Sequence, residues 1–514
     1  MHFSPKTILL TGATGFLGRY FLRDLLLRGK QIVVVGRSRG PVSGQDRIEA
    51  ILQDWELRLG RRLIRPRFLE GNVCSPNFGI VPNALNQALL GSVDAIVHCA
   101  ASLRFEEDES REEPLRTNLT GTRNAVAFAQ EWGIPHFHYI STAYVCGQRH
   151  ERILESELEL GQEFHNIYEQ SKFQAERLVH AANGFSTKTI YRPSIVVGDS
   201  VTGFSSTFHT IYSILRFLRA LPESNAGNLD WIFKKLQLSG HEGKNLVPVD
   251  WVSKTTVDLL ETPNAWGQTF HLTNATPVTA NQLSDAIAEA IASQRHHWEA
   301  MALPASITDA QAAYQMHVDA YRGYLSDDPI FDSAEIQKIF PDLKAPAIDH
   351  VSLVRMLSFA IKHRFRDPTI AIPRSIDDGQ IRSDLDSIWL DRAKLLPNDA
   401  NAKFEWTLRL SGLGGGAWAF GNSQHELDGS IEAWAHTTAA TWKAIVKNQC
   451  TLEQAIQRHL VLISGSRNER LEIEKQLYRL IQYSESHQLT SNSSCESNPL
   501  DVLPIQPKDG RHRA

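Results

Sequence analysis

The chain has 514 residues, 42% hydrophobic and 22% charged, a globular composition with length for about two to four domains, which excludes a disordered or fibrous protein. Its 53 Lys and Arg stand against 58 Asp and Glu, a net charge of −5, so it lacks the general basic surface that displaces counterions, and nucleic acid is not an expected partner. Five cysteines (Cys74, Cys99, Cys146, Cys450, Cys495) form no C-x-x-C pair, which argues against a zinc set or disulfide framework and for a reducing cytoplasmic location.

Met1–Lys6 leads straight into a strand without an export-type basic and apolar start, and no run approaches the ~18 apolar residues of a membrane span. A cytoplasmic protein is expected, one still able to meet a membrane surface. Apolar runs at Thr7–Leu10, Gln31–Val35, Arg67–Leu69, Ala95–His98, His136–Ile140, Lys188–Tyr191 and Thr269–Leu272 alternate with helical patterns. This rhythm predicts an α/β domain over 1–290 with a doubly wound parallel sheet of Rossmann type. An insertion at about 204–238 breaks it and puts Phe204, Phe208, Ile211, Leu215 and Leu218 at helical spacing. That apolar stripe is suited to line a substrate site, to dip into a membrane surface, or simply to pack on a core. From Thr279 to about Arg366 the pattern is mostly helical, with helices at 283–291 and 349–363, and 291–366 reads as a helical cap.

Prolines in Asp367–Arg374 suggest a linker. Beyond it Phe404, Trp406, Leu408 and Leu410 alternate with Lys403, Glu405, Thr407 and Arg409, as in a strand with one wet face. Gly412 and Gly414–Gly416 turn the chain, Gly429–Trp434 suits a second strand, and capping boxes at Thr451 with Gln454 and Ser466 with Glu469 start two helices. A separate α+β domain over 375–485 follows, then a Ser-, Asn- and Pro-rich tail over 486–514 expected to be disordered.

Chemistry enters directly after the first strand, where Thr11-Gly12-Ala13-Thr14-Gly15-Phe16-Leu17-Gly18 opens a helix. Gly12 permits the tight turn, Gly15 lets backbone amides approach a pyrophosphate, and Gly18 allows close packing of helix on strand. Gly12, Thr14, Gly15, Phe16, Leu17 and Gly18 are the expected loop contacts to a dinucleotide. The second strand ends Val35-Gly36-Arg37-Ser38, without the acid that would bind the ribose hydroxyl of NAD. Arg37, joined by Arg19 from the first helical turn, favours the 2′-phosphate of NADP. Tyr168 and Lys172 lie at i and i+4, one helix face, where an ammonium makes a phenol a usable acid. Upstream, Tyr139-Ile140-Ser141-Thr142-Ala143-Tyr144-Val145 delivers hydroxyls to the carboxyl edge of the sheet, where open α/β folds bind ligands.

Residues 5 to about 275 resemble an extended short-chain dehydrogenase/reductase, and more narrowly the fatty acyl-CoA reductases and carrier-protein thioester reductases with the male sterility type NAD-binding domain. The matching segments are LTGATGFLGRYF, VVVGRS, VHCAASLRFEED, RTNLTGTRNAV, YISTAYVCG, YEQSKFQAE, YRPSIVVG and VPVDWVS. The resemblance implies that Thr142 hydrogen-bonds the reacting carbonyl, with Ser141 as runner-up, that Tyr168 donates the proton, and that Lys172 binds the nicotinamide ribose. It also implies that Ala100 and Ala101 pass beside the cofactor, that Asn118 joins a structural polar network, and that Pro193 and Ser194 border the nicotinamide. Gly71-Asn72 stands where many relatives have Gly-Asp near the adenine, which puts the Asn72 contact in some doubt. The 375–485 domain is similar to sterol-carrier-like lipid-binding domains through its strand, the GGGAW turn and TLEQAIQRHLVLISG.

The expected activity is NADPH-dependent reduction of a lipophilic acyl thioester, on CoA or an acyl carrier protein, to aldehyde or alcohol. Alternatives are a hydroxysteroid or other lipid alcohol/ketone oxidoreductase using the same residues, and a non-catalytic lipid-binding protein. Cys99 and Cys146 read as small core residues, and His98, His138 and His209 as packed or surface histidines, since no metal-ligand spacing links them.

Overall fold

The first apolar run becomes β1 (Thr7–Thr11), buried at all five residues, because a central strand covered by helices on both faces has no wet side. The structure, a computed structural model, describes residues 5–39, 42–81, 83–220, 239–299, 301, 324, 326–369, 406–411, 416–420, 434–446, 450–457, 461–464 and 467–488. They fall into two compact units, residues 1–37 with 64–368 and residues 38–63 with 369–514.

In the first unit β1 is joined by β2 (Gln31–Gly36), β3 (Arg67–Glu70), β4 (Ala95–His98), β5 (His136–Ile140), β6 (Thr187–Pro193) and β7 (Thr269–Leu272). These make one seven-stranded sheet in the order β7-β6-β5-β4-β1-β2-β3, parallel at every pairing. The order of strand succession reverses between β1 and β4, the crevice at which such folds bind nucleotides. Helix α1 (Phe16–Leu27) follows β1 and buries Phe21, Leu22, Leu25 and Leu26. A core of Leu9, Val33, Ile96, Phe128, Phe137 and Ile190 fills one side of the sheet.

The insertion forms α4 (Ile211–Ala220), which follows α2 (Gly121–Glu131) and α3 (Ile167–Ala181) in the chain. Its stripe of Phe208, Ile211, Leu215 and Leu218 is buried with residues of α5 (Ala280–Ser293) and α6 (His350–Lys362), among them Ile287, Leu353 and Leu357. Phe204 is likewise buried, edge-on to Phe359 at 5.5 Å. The stripe therefore packs on the cap, while Thr207, His209, Thr210 and Tyr212 of the same insertion border a cavity, as expected of a segment lining a substrate site; residues 221–238 lie outside the described residues. Helix α5 starts at a capping box of Thr279 with Gln282. Among the described residues no helix is long and apolar enough to cross a membrane.

The second unit holds a four-stranded sheet in the order β9-β8-β10-β11, from β8 (Trp406–Ser411), β9 (Gly416–Phe420), β10 (Trp434–Thr438) and β11 (Val461–Ser464). Helices Ala439–Val446, Leu452–Gln457 and Arg467–Gln488 cover a core that includes Leu408, Trp442, Leu452, Ile473 and Leu477. The capping box is present as read: Gln454 N donates to Thr451 Oγ1 and Thr451 N to Gln454 Oε1, both at 3.1 Å. The helix-then-strand reading of TLEQAIQRHLVLISG also matches; of the strand expected at 429–434 only Trp434 is described, and it lies in β10. Helix Gly44–Leu59, which its place between β2 and β3 assigns to the first domain, groups with this second unit. Residues 370–405, Gly412, Gly414, Gly415, 421–433, Ser466 and the tail from 489 lie outside the described residues.

Candidate active site

After β1 the backbone turns at Gly12, whose φ of +74° suits glycine. A Cβ there would stand 2.6 Å from Ala100 N and 2.7 Å from the Cys99 carbonyl carbon. Gly15 N donates to Gly12 O at 2.9 Å and closes the turn. Gly15 then serves as the N-cap of α1 with no side-chain cap, which leaves first-turn amides for an anion. A Cβ on Gly18 would meet Gly12 O at 2.1 Å, so helix and loop touch through backbone alone. A Gly18→Ala substitution is expected to lower stability by about 1–3 kcal/mol through overpacking and to weaken dinucleotide binding, read by denaturant unfolding and ligand titration.

Thr142 follows β5 and caps the 3₁₀ turn Ala143–Cys146; its hydroxyl accepts from Tyr144 N at 3.3 Å and donates to Pro193 O at 3.4 Å. Helix α3 is started by Asn166, whose side chain accepts from Glu169 N at 3.0 Å, and it turns Tyr168 and Lys172 toward the same space. Lys172 is 2% exposed, and Nζ donates to Tyr139 Oη at 2.8 Å and to Ile140 O at 2.7 Å. Burial lowers its pKa to about 8, against smaller opposing effects of Cys99 and Glu176. Burial raises the Tyr168 phenol above its ordinary value, partly offset by its interaction with the Thr142 side chain. The phenol is thus a protonated donor at neutral pH beside the Thr142 hydroxyl; the expected effect of the Lys172 ammonium is not among the causes of its shift, although both side chains border one cavity.

Beneath this group Glu176 and Arg192 form a buried ion pair at 2.6 Å. Burial opposes the charge of Glu176, but Arg192, His180 and Ser141 hold its pKa down to about 2. The Ser141 hydroxyl donates to that carboxylate, which engages it away from a carbonyl. Asn118, 1% exposed, accepts from Ser102 N at 2.7 Å and donates to Ser171 Oγ at 2.8 Å, so it ties the β4 loop to α3.

These groups border a cavity of about 270 Å³. It gathers the predicted Gly12, Gly15, Phe16, Leu17, Gly18, Ala101, Thr142, Tyr168, Lys172, Pro193 and Ser194. Ser194 Oγ is buried there without a hydrogen-bond partner. The uncapped turn, the tight glycine cradle and this orphan hydroxyl all fit a nicotinamide dinucleotide. Thr14 and Ala100 sit in the adjoining loops; Ala100 N donates to Thr11 Oγ1 at 3.4 Å. Arg37 is exposed at the end of β2. Asn72, just past β3, donates from its backbone to Phe78 O at 2.8 Å and accepts from Cys74 N at 3.2 Å. Arg19 is not displayed with Arg37 but is 3% exposed, paired with Asp367 at 2.7 Å and 5.5 Å from the Phe204 ring.

Cys99 is not enclosed in the core but lines the cavity, half-buried, with its thiol pushed up to about 12 chiefly by burial. Cys146 is buried, its thiol also raised to about 12 by burial. Neither is a thiolate nucleophile. His98 and His138 are buried and held neutral, each lowered to about 3 mainly by burial, while His209 is exposed at the cavity. Tyr144 of the hydroxyl-bearing segment also lines it, as do Phe105, Thr207, Tyr212 and Tyr324, which were not singled out from sequence. Tyr324 donates to Glu169 Oε1 at 2.5 Å across a separation of 155 residues, for which no local pattern exists.

Residues 10–256, just under half of the chain, match the family model described as male sterility protein. A nonribosomal peptide synthetase of Aspergillus flavus is 27% identical over 289 residues, 53% of this chain and 26% of that protein. Fatty acyl-CoA reductase 1 of Mus musculus is 32% identical over 162 residues, 29% of this chain and 30% of that protein. The chain thus spans less than a third of the length of either curated relative. The solved terminal R domain of the myxalamid PKS-NRPS biosynthetic pathway is 25% identical with a TM-score of 0.55, over 71% of this chain and 93% of that one.

Proposed function

We propose, from the match of residues 10–256 to the male sterility protein family model, that the chain is an NADPH-dependent reductase of lipophilic acyl thioesters, yielding an aldehyde or alcohol. The observation that carries this reading is the convergence of Thr142, Tyr168 and Lys172 on one cavity with the glycine turn. The likeness to a fatty acyl-CoA reductase and to a terminal R domain supports a thioester as substrate. CoA or an acyl carrier protein is the carrier, and the protein is cytoplasmic, in keeping with free thiols at Cys74, Cys99, Cys146 and Cys450.

Gly12, Gly15, Phe16, Leu17, Gly18, Ala101, Pro193 and Ser194 hold the cofactor, with Lys172 at its ribose and Arg37 at its 2′-phosphate. When bound, the reduced nicotinamide supplies hydride. Thr142 and Tyr168 donate hydrogen bonds to the thioester oxygen and stabilise the negative charge that develops on it. Tyr168 then gives that oxygen its proton, and the Lys172 ammonium stabilises the phenolate left behind. The resulting hemithioacetal breaks its C–S bond to give aldehyde and free thiol; a second hydride and proton give the alcohol.

Two experiments bear on this. Free CoA release accompanying NADPH oxidation with long-chain acyl-CoA supports the thioester reading; turnover confined to sterol ketones would overturn it in favour of a hydroxysteroid-type oxidoreductase. Arg37→Ala is expected to weaken NADPH binding by roughly tenfold or more, since a charge-assisted pair is lost, with NADH binding unchanged in the same titration.

A further inference from the structure

Among the described residues that line the cavity, Lys172 alone is a lysine or arginine. A buried ammonium needs acceptors, or it gives up its proton. Of the titratable groups around it, Cys99 and Glu176 favour the charged form less than burial opposes it, and neither is a hydrogen-bond acceptor of Nζ among the described contacts. The Glu176 carboxylate is engaged by Arg192 and Ser141, the Cys99 thiol and Tyr168 phenol stay protonated, and His98 stays neutral.

Tyr139, on β5 and fully buried, fills the gap twice over. Its oxygen accepts from Lys172 Nζ at 2.8 Å, and its ring centroid lies 4.3 Å from the same nitrogen, within the range of a cation–π contact. Ile140 O accepts a second N–H at 2.7 Å. An ammonium has three donors, so two fixed acceptors direct the remaining N–H. Tyr139 is itself held: its hydroxyl hydrogen-bonds with Thr122, Thr122 Oγ1 donates to Asn118 O at 2.6 Å, and its ring stacks on His98 at 6.0 Å. Burial keeps the phenol well above its ordinary value, so it remains a neutral acceptor beside the cation.

We propose that Tyr139 is a positioning residue that holds the Lys172 ammonium at the cavity and keeps it charged, through one accepted hydrogen bond and its ring face. This rests on the role given above to Lys172 in cofactor binding and phenol activation. Its consequence is that the alkaline limit of the enzyme is set from below the active site, by a side chain that touches neither substrate nor cofactor.

The test follows NADPH binding by fluorescence, and kcat/KM, from about pH 6 to 10 in the full chain. Tyr139→Phe keeps the ring and loses the oxygen; the alkaline limb is expected to move about one pH unit toward acid, with binding at the acid end within about twofold of the parent. Tyr139→Leu, which loses both contacts, moves it further. In a Lys172→Arg background the limb disappears and Tyr139→Phe shifts nothing. Should Tyr139→Phe fail to fold, Thr122→Val loosens the same phenol and shifts the limb in the same direction. An unmoved limb in a folded Tyr139→Phe protein, or a shift that persists with Lys172→Arg, overturns the proposal. A binding limb that shifts in a protein inactive on thioesters overturns the substrate reading and leaves this one standing.

Discussion

A Tyr168→Phe enzyme is expected to lose about two to four orders of magnitude in kcat, the usual worth of a positioned proton donor. The change removes one oxygen and keeps the ring that lies 5.8 Å from Phe105, so packing survives and NADPH affinity should stay within about twofold. Thr142 still donates one hydrogen bond to the developing oxyanion, which sets a floor to the loss. Steady-state kinetics with a direct cofactor titration separates the outcomes. A large fall in kcat with unchanged binding assigns the proton to Tyr168, whereas unchanged turnover would remove that role. A parallel loss of cofactor binding would mean that the substitution had disturbed the nicotinamide site.

The largest effect on stability is expected at Glu176. It is 0% exposed and paired with Arg192, itself 1% exposed, and removing one member of such a pair strands the other charge at a cost of about 3–5 kcal/mol. Glu176→Ala should lower the unfolding midpoint of the first unit accordingly. Replacing both members by apolar residues should recover much of the loss, because neither charge is then buried alone. The pH dependence has a definite sign. The folded-state pKa is held near about 2, below the ordinary 4.5, so this carboxylate stabilises the fold above about pH 4.5 and loses that contribution as pH falls toward 2. Glu176→Ala should flatten the stability profile in that window. Because Ser141, next to Thr142, donates to the same carboxylate, the variant should also lower kcat at neutral pH.

The sheet was readable because fully buried parallel strands appear as unbroken apolar runs, as in Ile8-Leu9-Leu10 and Ile32-Val33-Val34. The glycine turn and the Tyr168–Lys172 pair were readable because their spacing is local. What escaped the sequence depends on distant partners. The stripe of Phe208, Ile211, Leu215 and Leu218 has the same periodicity whether it meets lipid or a cap, and only the placement of α5 and α6 decides for the cap. The partner of Arg19 is Asp367, 348 positions away, so its position in the first helical turn suggested a phosphate instead. Tyr139 has the ordinary sequence signature of a buried aromatic strand residue; its contact with Lys172 exists only once β5 and α3 are packed.

The most direct measurement follows NADPH consumption and free thiol together in one reaction of the purified chain with a long-chain acyl-CoA. Thiol release in step with NADPH oxidation, one thiol for each aldehyde formed and both abolished together in Tyr168→Phe, is the result expected if Thr142, Tyr168 and Lys172 reduce a thioester. NADPH oxidation with ketone substrates and no thiol from acyl-CoA or acyl-carrier-protein thioesters would contradict it.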